Sequence, residues 1–490
     1  MTTGAPRATS PATGQPAPPR PSRAALRSTA LIVVVTVAVY VVPPPQGVDP
    51  RGVHMLAIFI GTVLGLILQP LPSAAVAIIG LTAAMVTGAM DPRTEALQGF
   101  SDPTVWLIVA AFFIADGFLK TGLGRRIALL FITRVGRSST GLAYGLAMTD
   151  LVLAPATPSN TARNGGVVYP IIASLSRVQG STPDDDASRR KLGSYLALTS
   201  VQVNVVTSAM FLTAMAGNPV AQSVAADAGV DITWGGWALA ALVPGLAALA
   251  LVPWLMSHLY GPTLRSTPEA PAQARAELAR LGRTSRGEVV MVAVFGLLLV
   301  LWCLGAELGV PATAAAFLGI SLLLVTGVLS WKDLAANAAA WQTLLFFAVL
   351  VGMADQLAAL GVVEWVGASV SAAVGGLGWG WALLALSLVY FYVHYLFASN
   401  TAQVVAMYGV FLGAAVAAGA PALMAGLVLG FLGSLFGGIS HYASGPAGVV
   451  FGSGYVRSSE WFRVGFIMSA VLLVVWGAVG GVWWKVLGLW

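Results

Sequence analysis

Charged side chains are scarce in this chain of 490 residues: they make up 9% of it, whereas hydrophobic residues make up 57%. A water-soluble domain carries roughly 25% charged residues, so the composition excludes one and indicates a polytopic membrane protein. Cysteine is scarcer still. The single cysteine, Cys303, lies in an apolar run, which excludes a disulfide framework and a cysteine-rich metal site.

The sequence also lacks the residue clusters that most other function classes require. Its net charge of +6 comes from basic residues scattered through short segments, so we expect no nucleic-acid partner. It contains no metal-ligand spacing, phosphate-binding loop or nucleophile–base set, so we expect neither an enzyme nor a cofactor. Asp116 and Asp355 lie in apolar segments, but neither is in the Gly-x-Gly-Asp motif of intramembrane aspartyl proteases. We interpret Asp116 as a structural partner of Lys120, one helical turn later.

Long apolar runs occupy most of the chain after residue 25, and a spanning helix needs about 20 such residues. The predicted fold class is therefore an all-α polytopic membrane protein. The residues before the first run, 1–25, are rich in Pro, Ala, Thr and Ser and predict a disordered cytoplasmic tail. Eleven spans are predicted, at about 26–42, 53–71, 73–90, 105–123, 193–216, 237–260, 288–307, 312–330, 336–360, 420–443 and 464–484.

Two further apolar stretches, at about 141–175 and 380–415, each contain the tripeptide Ser-Asn-Thr near the middle. A polar tripeptide at membrane depth is costly unless protein or water satisfies it. Helix capping or helix packing is the alternative to a functional role. The duplication favours a binding site with one half from each copy of an internal repeat. The two copies are Ser159-Asn160-Thr161 and Ser399-Asn400-Thr401.

Other features recur in the same order around both motifs. Asp116 and Asp355 precede them, and a break of small residues ending in proline follows each motif. The breaks are Gly217-Asn218-Pro219 and Ser444-Gly445-Pro446. A broken helix exposes amino-terminal N–H groups, which attract carboxylates. The pattern predicts a first helix and first repeat at 26–260, a cytoplasmic linker at 261–287 and a second repeat at 288–490.

The distribution of Lys and Arg bears on how the two motif-bearing stretches enter the membrane, because basic residues concentrate in cytoplasmic segments. If both stretches are re-entrant hairpins and the amino terminus is cytoplasmic, most of the 25 basic residues fall on the cytoplasmic side. Counting either stretch as a true span removes this asymmetry. We therefore predict inverted repeats in an inner or plasma membrane, with an inward-opening hairpin at 141–175 and an outward-opening hairpin at 380–415.

The motif-bearing segments resemble the divalent anion–sodium symporter family. They are most similar to its branch of bacterial citrate, tartrate and succinate antiporters and plastid 2-oxoglutarate/malate translocators. The resemblance implies that two hairpin tips and two broken helices bind a di- or tricarboxylate. It also implies a homodimer that works by an elevator movement. Ala443-Ser444 departs from the Gly-Thr more usual in this branch, and since the hydroxyl is kept we expect altered affinity rather than lost function. The segments that carry the resemblance are Pro158–Arg163, His394–Thr401, His441–Pro446, Phe451–Tyr455 and Trp483–Lys485.

Each hairpin also carries one basic side chain near its motif, Arg163 in the first and His394 in the second. Burying a guanidinium costs several kcal/mol unless it is paired. Three interpretations of Arg163 are open: it compensates the charge of the substrate, pairs with Asp150, or reaches the membrane surface. His394, and His441 beside the second break, contact the substrate or are ordinary core residues.

The predicted substrate site therefore combines the two motifs, the two breaks, Arg163 and His394. The predicted function is secondary transport of small dicarboxylates such as malate, succinate or 2-oxoglutarate, with citrate and tartrate left open. Because a fixed guanidinium cannot be left behind on the far side, we favour a sodium-independent exchanger. One alternative is a sodium symporter, and another is a receptor that binds such anions without moving them. In the symporter, Na⁺ would bind near Ser159, Asn160 and Gly217 and near Ser399, Asn400 and Ala443.

Overall fold

The structure, a computed structural model, describes residues 23–363, 365, 366 and 378–490. The predicted disordered tail lies outside the described residues except at its last positions. The first half contains α1 Arg23–Tyr40, α2 Pro50–Leu68, α3 Ser73–Val86, α4 Pro103–Thr121, α5 Leu123–Val135, α6 Ser139–Leu153, α7 Tyr169–Val178, α8 Asp186–Arg189, α9 Gly193–Met210, α10 Gly217–Asp227 and α11 Trp234–Leu259. The linker contains α12 Ala270–Leu281. The second half contains α13 Arg286–Leu308, α14 Ala312–Val325, α15 Trp331–Ala336, α16 Ala338–Ala359, α17 Trp379–Tyr392, α18 Asn400–Ala417, α19 Ala422–Leu435, α20 Gly445–Gly452, α21 Ser458–Val475 and α22 Gly481–Val486.

The described residues form helices suited to a bilayer. Eight of these helical segments are long and apolar enough to cross a membrane, and four shorter apolar helices accompany them. Large apolar side chains stand exposed on their outer faces, among them Val325 at 86% and Val474 at 67%. Such faces are stable against lipid, because each helix satisfies its own backbone hydrogen bonds. The prediction of an all-helical polytopic membrane protein is confirmed.

The helices of the two halves follow one another in the same order. α3, α4, α6, α9 and α10 have their counterparts in α14, α16, α17, α19 and α20. Equivalent turns also share a backbone conformation: Gly88 and Gly327 have φ of 74° and 75°, and Gly122 and Gly361 have φ of 75° and 78°. Only glycine adopts this left-handed region at little cost. These equivalent positions extend well beyond the motifs that indicated a repeat.

Each motif-bearing stretch folds into two helical limbs that are tied together at equivalent positions. In the first, Nε of Arg163 donates to Oδ1 of Asp150 at 3.0 Å. In the second, Nε2 of Gln403 donates to the carbonyl of Tyr390 at 2.5 Å. Both ties join residues that are 13 positions apart. The chain therefore reverses direction at each Ser-Asn-Thr motif.

The two predicted breaks interrupt helices inside the protein. α9 ends at Met210 and α10 begins at Gly217, while α19 ends at Leu435 and α20 begins at Gly445. Carbonyl groups released at the breaks accept hydrogen bonds from buried side chains. Nε1 of Trp237 donates to Ala209 at 2.9 Å, and Nε1 of Trp461 donates to Gly438 at 3.2 Å. In hydrocarbon each such group needs a protein partner, so these indoles stabilise the interruptions.

The predicted pair of Asp116 with Lys120 is wrong. Nζ of Lys120 lies 2.6 Å from a carboxylate oxygen of Asp333, and Asp116 instead accepts from Nδ2 of Asn337 at 2.7 Å. The hydrogen bond from Lys120 lowers the pKa of Asp333 below its ordinary value. Spacing along α4 suggested a partner one turn away, but α15 of the other half brings a carboxylate closer. A single sequence carries no signal for that contact.

A cluster of charges ties the two halves together at α8 and the start of α21. Arg189, whose side chain is 4% exposed, contacts both carboxylate oxygens of Glu460, at 2.7 and 3.0 Å. Its Nε donates to Asp186 at 2.6 Å. Charge-assisted bidentate bonds of this kind are the stronger ones in proteins, and burial protects them from screening. The cluster therefore fixes a first-half segment to a second-half helix.

Replacing Glu460 by Gln should lower the thermal unfolding midpoint of the purified protein markedly. The substitution leaves the buried guanidinium of Arg189 with Asp186 as its remaining ionic partner, and breaking a buried pair costs about 3 kcal/mol. Glu277→Gln is the matched control, because Glu277 forms an exposed pair with Arg125 and such pairs contribute little. Equal midpoints for the two variants would contradict this role of the cluster.

Candidate functional site

Both Ser-Asn-Thr motifs border a single cavity of about 220 Å³. Ser159, Asn160 and Thr161 line it from the first hairpin, and Ser399 and Thr401 line it from the second. Pockets for drug-sized ligands begin at roughly 300 Å³, so this cavity suits a smaller molecule. The structure thus brings the two halves of the predicted site together, as the repeat implied.

Each hairpin tip is the start of a helix that is capped by its own serine. Oγ of Ser159 accepts from the backbone N–H of Ala162 at 3.1 Å, and Oγ of Ser399 accepts from Ala402 at 3.4 Å. Acting as acceptors, both hydroxyls keep their hydrogens available for a ligand. The positive ends of two helix dipoles meet at the cavity, and a helix start with free N–H groups favours an anion.

The two asparagines at equivalent positions have different roles. Oδ1 of Asn160 accepts from the backbone N–H of Thr161 at 2.9 Å, and its NH₂ group has no acceptor within the described residues. Asn400 is 4% exposed and does not line the cavity. Its Nδ2 donates to the carbonyls of Gly433 and Ser434 at 3.2 and 3.3 Å. Asn160 can therefore donate to a ligand, whereas Asn400 anchors its tip to α19.

Each tip packs against the break of the opposite half. A Cβ on Gly445 would overlap Oγ1 of Thr161, and a Cβ on Gly217 would lie 3.5 Å from Cα of Thr401. A methyl group at Gly445 would therefore require Thr161 to shift. Ala216 of the first break reaches the cavity itself. The glycines of both breaks therefore support the tips from behind rather than contact a ligand.

The remaining polar residues of the breaks hold the backbone in place. Nδ2 of Asn218 donates to the carbonyls of Ser208 and Phe211 at 2.7 and 3.0 Å. Oγ of Ser444 donates to the carbonyl of Gly437 at 2.7 Å. Neither residue lines the cavity, and the same is true of Pro219 and Pro446.

Arg163 is fully buried behind the first tip and does not line the cavity. Of the three interpretations given above, the structure shows the ion pair with Asp150, and the interpretation that the side chain reaches the membrane surface is wrong. The guanidinium fits because the interrupted backbone offers it carbonyls that no helix uses. Besides Oδ1 of Asp150 at 3.0 Å, its acceptors are the carbonyls of Thr157 at 2.8 Å and Ala214 at 2.9 Å and the hydroxyls of Thr207 at 3.4 Å and Ser208 at 2.8 Å.

His394 has a corresponding place behind the second tip. It is fully buried, with Nδ1 2.6 Å from Oε1 of Gln403 and Nε2 2.8 Å from the carbonyl of Ala443. Gln403 must present its oxygen to the ring, because its nitrogen donates to Tyr390. Both ring nitrogens therefore face acceptors. The ring stacks on Phe436 with centroids 3.9 Å apart.

His441, the other histidine considered above, packs against aromatic rings. Its centroid lies 4.1 Å from that of Phe451 and 5.6 Å from that of Phe462. It is partly buried and does not line the cavity.

The residues on the side of the cavity opposite the hairpin tips were not predicted from the sequence. This side is formed by α2, α4, α16 and the turn into α3, and no charged side chain is among the described lining residues. Gln69 is the most unusual member: its φ of 45° makes it the one non-glycine residue with positive φ in the described chain. The missed lining residues are Leu66, Gln69, Ser73, Phe112, Thr343, Phe346 and Phe347.

A signal for Gln69 was present in the repeat. α2 ends at Leu68 and α13 at Leu308, and the next residues, Gln69 and Gly309, are both left-handed, with φ of 45° and 66°. Aligning these helix ends shows a glutamine where its counterpart is glycine. Left-handed backbone costs a residue with a side chain about 1–3 kcal/mol, and such strain is concentrated at functional sites.

Helix starts, hydroxyls and amides around a small cavity inside a polytopic bundle suit a membrane transport protein. Residues 23–490 match the family described as the sodium:sulfate symporter transmembrane region. The chain belongs to this family, which is one of transporters and not of enzymes.

Named relatives are similar over nearly the whole chain. Dicarboxylate transporter 1, chloroplastic, of Arabidopsis thaliana is 45% identical, with 97% of this chain and 86% of that protein covered. The citrate/succinate antiporter of Escherichia coli is 34% identical, with 94% and 97% covered. In fold, the chain resembles the crystal structure of the YdaH transporter of Alcanivorax borkumensis, with a TM-score of 0.55 at 13% identity, over 96% of this chain and 99% of that one.

Replacing Gly445 by Ala should loosen the first hairpin tip. The new methyl group would overlap Oγ1 of Thr161, and overpacking of this kind costs about 1–3 kcal/mol. We expect amide hydrogen exchange at the tip to become about tenfold faster, since tenfold corresponds to ~1.4 kcal/mol. Gly448→Ala in the same helix is the control, because a Cβ there meets open space. Unchanged exchange in Gly445→Ala would show that the tip does not depend on this contact.

Proposed function

We propose that this protein is a secondary transporter of small di- or tricarboxylates such as malate, succinate or 2-oxoglutarate. The observation that carries the proposal is the convergence of two serine-capped helix starts on one small cavity. A dicarboxylate has two charged ends, and each helix start supplies N–H and O–H donors for one of them. The names of the relatives, a dicarboxylate transporter and a citrate/succinate antiporter, support the same class of substrate.

The transport mechanism we propose is an elevator movement of the hairpins and broken helices as a unit. Hydrogen bonds within this unit support the proposal, since Arg163 ties the first hairpin to the first break and His394 ties the second hairpin to the second break. The other side of the cavity comes from α2, α4 and α16, which would form the static part. Eleven spans, inverted hairpins, a cytoplasmic amino terminus, an inner- or plasma-membrane location and a homodimer remain part of this proposal.

Sodium-independent exchange is the form of coupling we favour. Hard cations bind where several oxygen atoms converge. Behind the first tip such oxygens surround the guanidinium of Arg163, and behind the second tip they surround the imidazole of His394. Protein nitrogens therefore occupy the places where a coupling ion would bind. The carbonyl of Ala443, considered above as a sodium ligand, already accepts from His394.

Charge compensation by itself does not require exchange in this structure. Arg163 was expected to carry an uncompensated charge through the empty carrier, but Asp150 neutralises it. His394 is fully buried and has only neutral partners in Gln403 and Ala443, and such surroundings favour the uncharged ring. The proposal of exchange therefore rests on the occupied ion positions and on the name of the citrate/succinate antiporter among the relatives.

Proteoliposomes test both the substrate and the coupling. Preloading the vesicles with succinate should stimulate uptake of labelled malate strongly, while replacing external Na⁺ by choline should leave the rate nearly unchanged.

Three outcomes would contradict the proposal in different ways. Strict dependence on Na⁺ without stimulation by internal substrate would favour the sodium symporter. Binding of dicarboxylates without uptake under any gradient would favour the receptor. Absence of both binding and uptake across a panel of di- and tricarboxylates would overturn the substrate class.

Gln69 is a further ligand-contacting residue in this proposal. It lines the cavity opposite the hairpin tips, and its side-chain amide can donate to a carboxylate. The equivalent residue Gly309 shows that the turn itself does not need a side chain. Retaining glutamine in a left-handed position is costly in folding, so we infer that its side chain is kept for the ligand.

Gln69→Gly should separate folding from binding. Relief of the left-handed strain should leave the thermal unfolding midpoint unchanged or higher, because glycine adopts this backbone at little cost. Loss of a hydrogen bond to a charged group should weaken succinate affinity about tenfold, corresponding to ~1.5 kcal/mol. Gln98→Gly, in a turn away from the cavity, is the control. Wild-type affinity in Gln69→Gly would remove Gln69 from the site.

A further inference from the structure

A second cavity, of about 450 Å³, lies between α17, α19 and residues 473–490. α17 is the limb of the second hairpin that precedes its Ser-Asn-Thr motif. We call it the tryptophan cavity, after the lining residues Trp379, Trp476, Trp484 and Trp490. Among the described residues it shares no lining residue with the cavity at the hairpin tips. It is a separate place with its own chemistry.

The tryptophan cavity contains two polar side chains that lack partners. Oγ of Ser387 and Nε1 of Trp476 are buried, and neither has a hydrogen-bond partner in the described part of the chain. The residues are 7% and 2% exposed. The indoles of Trp484 and Trp490 are satisfied by the carbonyls of Ala240 and Gly481. An unpaired buried donor is destabilising, so an acceptor from outside the protein would stabilise both groups.

Local backbone structure keeps this cavity open. Residues Trp476–Gly480 form a turn of π-helix between α21 and α22, and such turns occur frequently at functional sites. Gly477 and Gly481 line the cavity, and a Cβ added at either would meet nothing within 4 Å. Two adjoining helical turns therefore leave unfilled apolar space beside the two free donors.

The position of the tryptophan cavity indicates a lipid. Trp379 and Trp381 begin α17, and Trp483, Trp484 and Trp490 end the chain, forming the aromatic belt typical of a membrane interface. Leu384 and Leu388, also in its lining, are 47% and 39% exposed, as expected of an opening to hydrocarbon. Nζ of Lys485 lies 4.8 Å from the ring centroid of Trp490, so a positive charge stands beside the cavity.

We propose that the tryptophan cavity binds an anionic phospholipid. One acyl chain fills the apolar space, an ester carbonyl accepts from Ser387 and Trp476, and the phosphate group lies near Lys485. Because α17 leads directly to the second hairpin tip, the bound lipid stabilises that limb. The proposal is independent of which substrate occupies the cavity at the tips.

Delipidated full-length protein in detergent provides the test. Dioleoyl phosphatidylglycerol should appear as a bound species in native mass spectrometry and raise the thermal unfolding midpoint saturably, by about 3 °C or more. Dioleoyl phosphatidylcholine should bind at least several-fold more weakly, because it carries no net charge for Lys485. Lys485→Gln should abolish this preference. An ether-linked phosphatidylglycerol, which lacks the ester carbonyls, should also bind more weakly to the wild type.

Variants that fill or neutralise the cavity distinguish it from other lipid contacts. Gly477→Leu should reduce phosphatidylglycerol binding about tenfold, whereas Gly296→Leu, at another exposed helical glycine with open space around it, should not. Should the leucine variant fail to fold, Ser387→Ala with Trp476→Phe removes both donors conservatively and should abolish the preference for ester over ether lipid. Wild-type binding by Gly477→Leu, retention of the ester preference by the double variant, or equal binding of the two headgroups would each overturn the proposal.

Discussion

Helices that are interrupted inside a membrane leave backbone carbonyls without a helical partner, and only the protein can supply one. The candidate site depends on the side chains that donate hydrogen bonds to these carbonyls. Arg163, Asn218, His394, Trp237 and Trp461 each donate to a carbonyl at a tip or a break. Their hydrogen bonds fix the tips and breaks relative to one another. Without them, the helix starts at the cavity would have no defined direction, and an anion would find no defined set of donors.

The same arrangement separates the groups that hold the tips in place from the groups that face the cavity. Arg163 and His394 lie behind the tips, where their hydrogen bonds are complete, and the described lining of the cavity is uncharged. In the proposed site, hydroxyls, amides and helix starts meet the ligand instead. Such donors bind an anion without the strong attraction of a directly exposed guanidinium, and a carrier must release its cargo as well as bind it.

Much of the fold and part of the site could be predicted from the sequence, because hydropathy, duplicated motifs and small-residue breaks are local signals. Contacts between distant segments could not. The partner of Lys120 comes from the other half, and the orientation of Asn400 away from the cavity depends on α19. Gln69 was recoverable only by aligning helix ends whose sequences differ. For Arg163, spacing left three interpretations, and the acceptors that decide among them come partly from α9 and the first break.

The crossed contacts of the tips also bear on the order in which the chain is made. Thr161 of the first tip packs on Gly445, which lies near the carboxyl end of the chain, while Thr401 packs on the much earlier Gly217. During synthesis the amino-terminal part emerges first, so the second tip meets a break that is already present. The polar first tip therefore lacks its packing partner Gly445 until almost the whole protein has been synthesised. A truncation that removes Gly445 would therefore destabilise the first hairpin tip, which is the part of the site that is synthesised first.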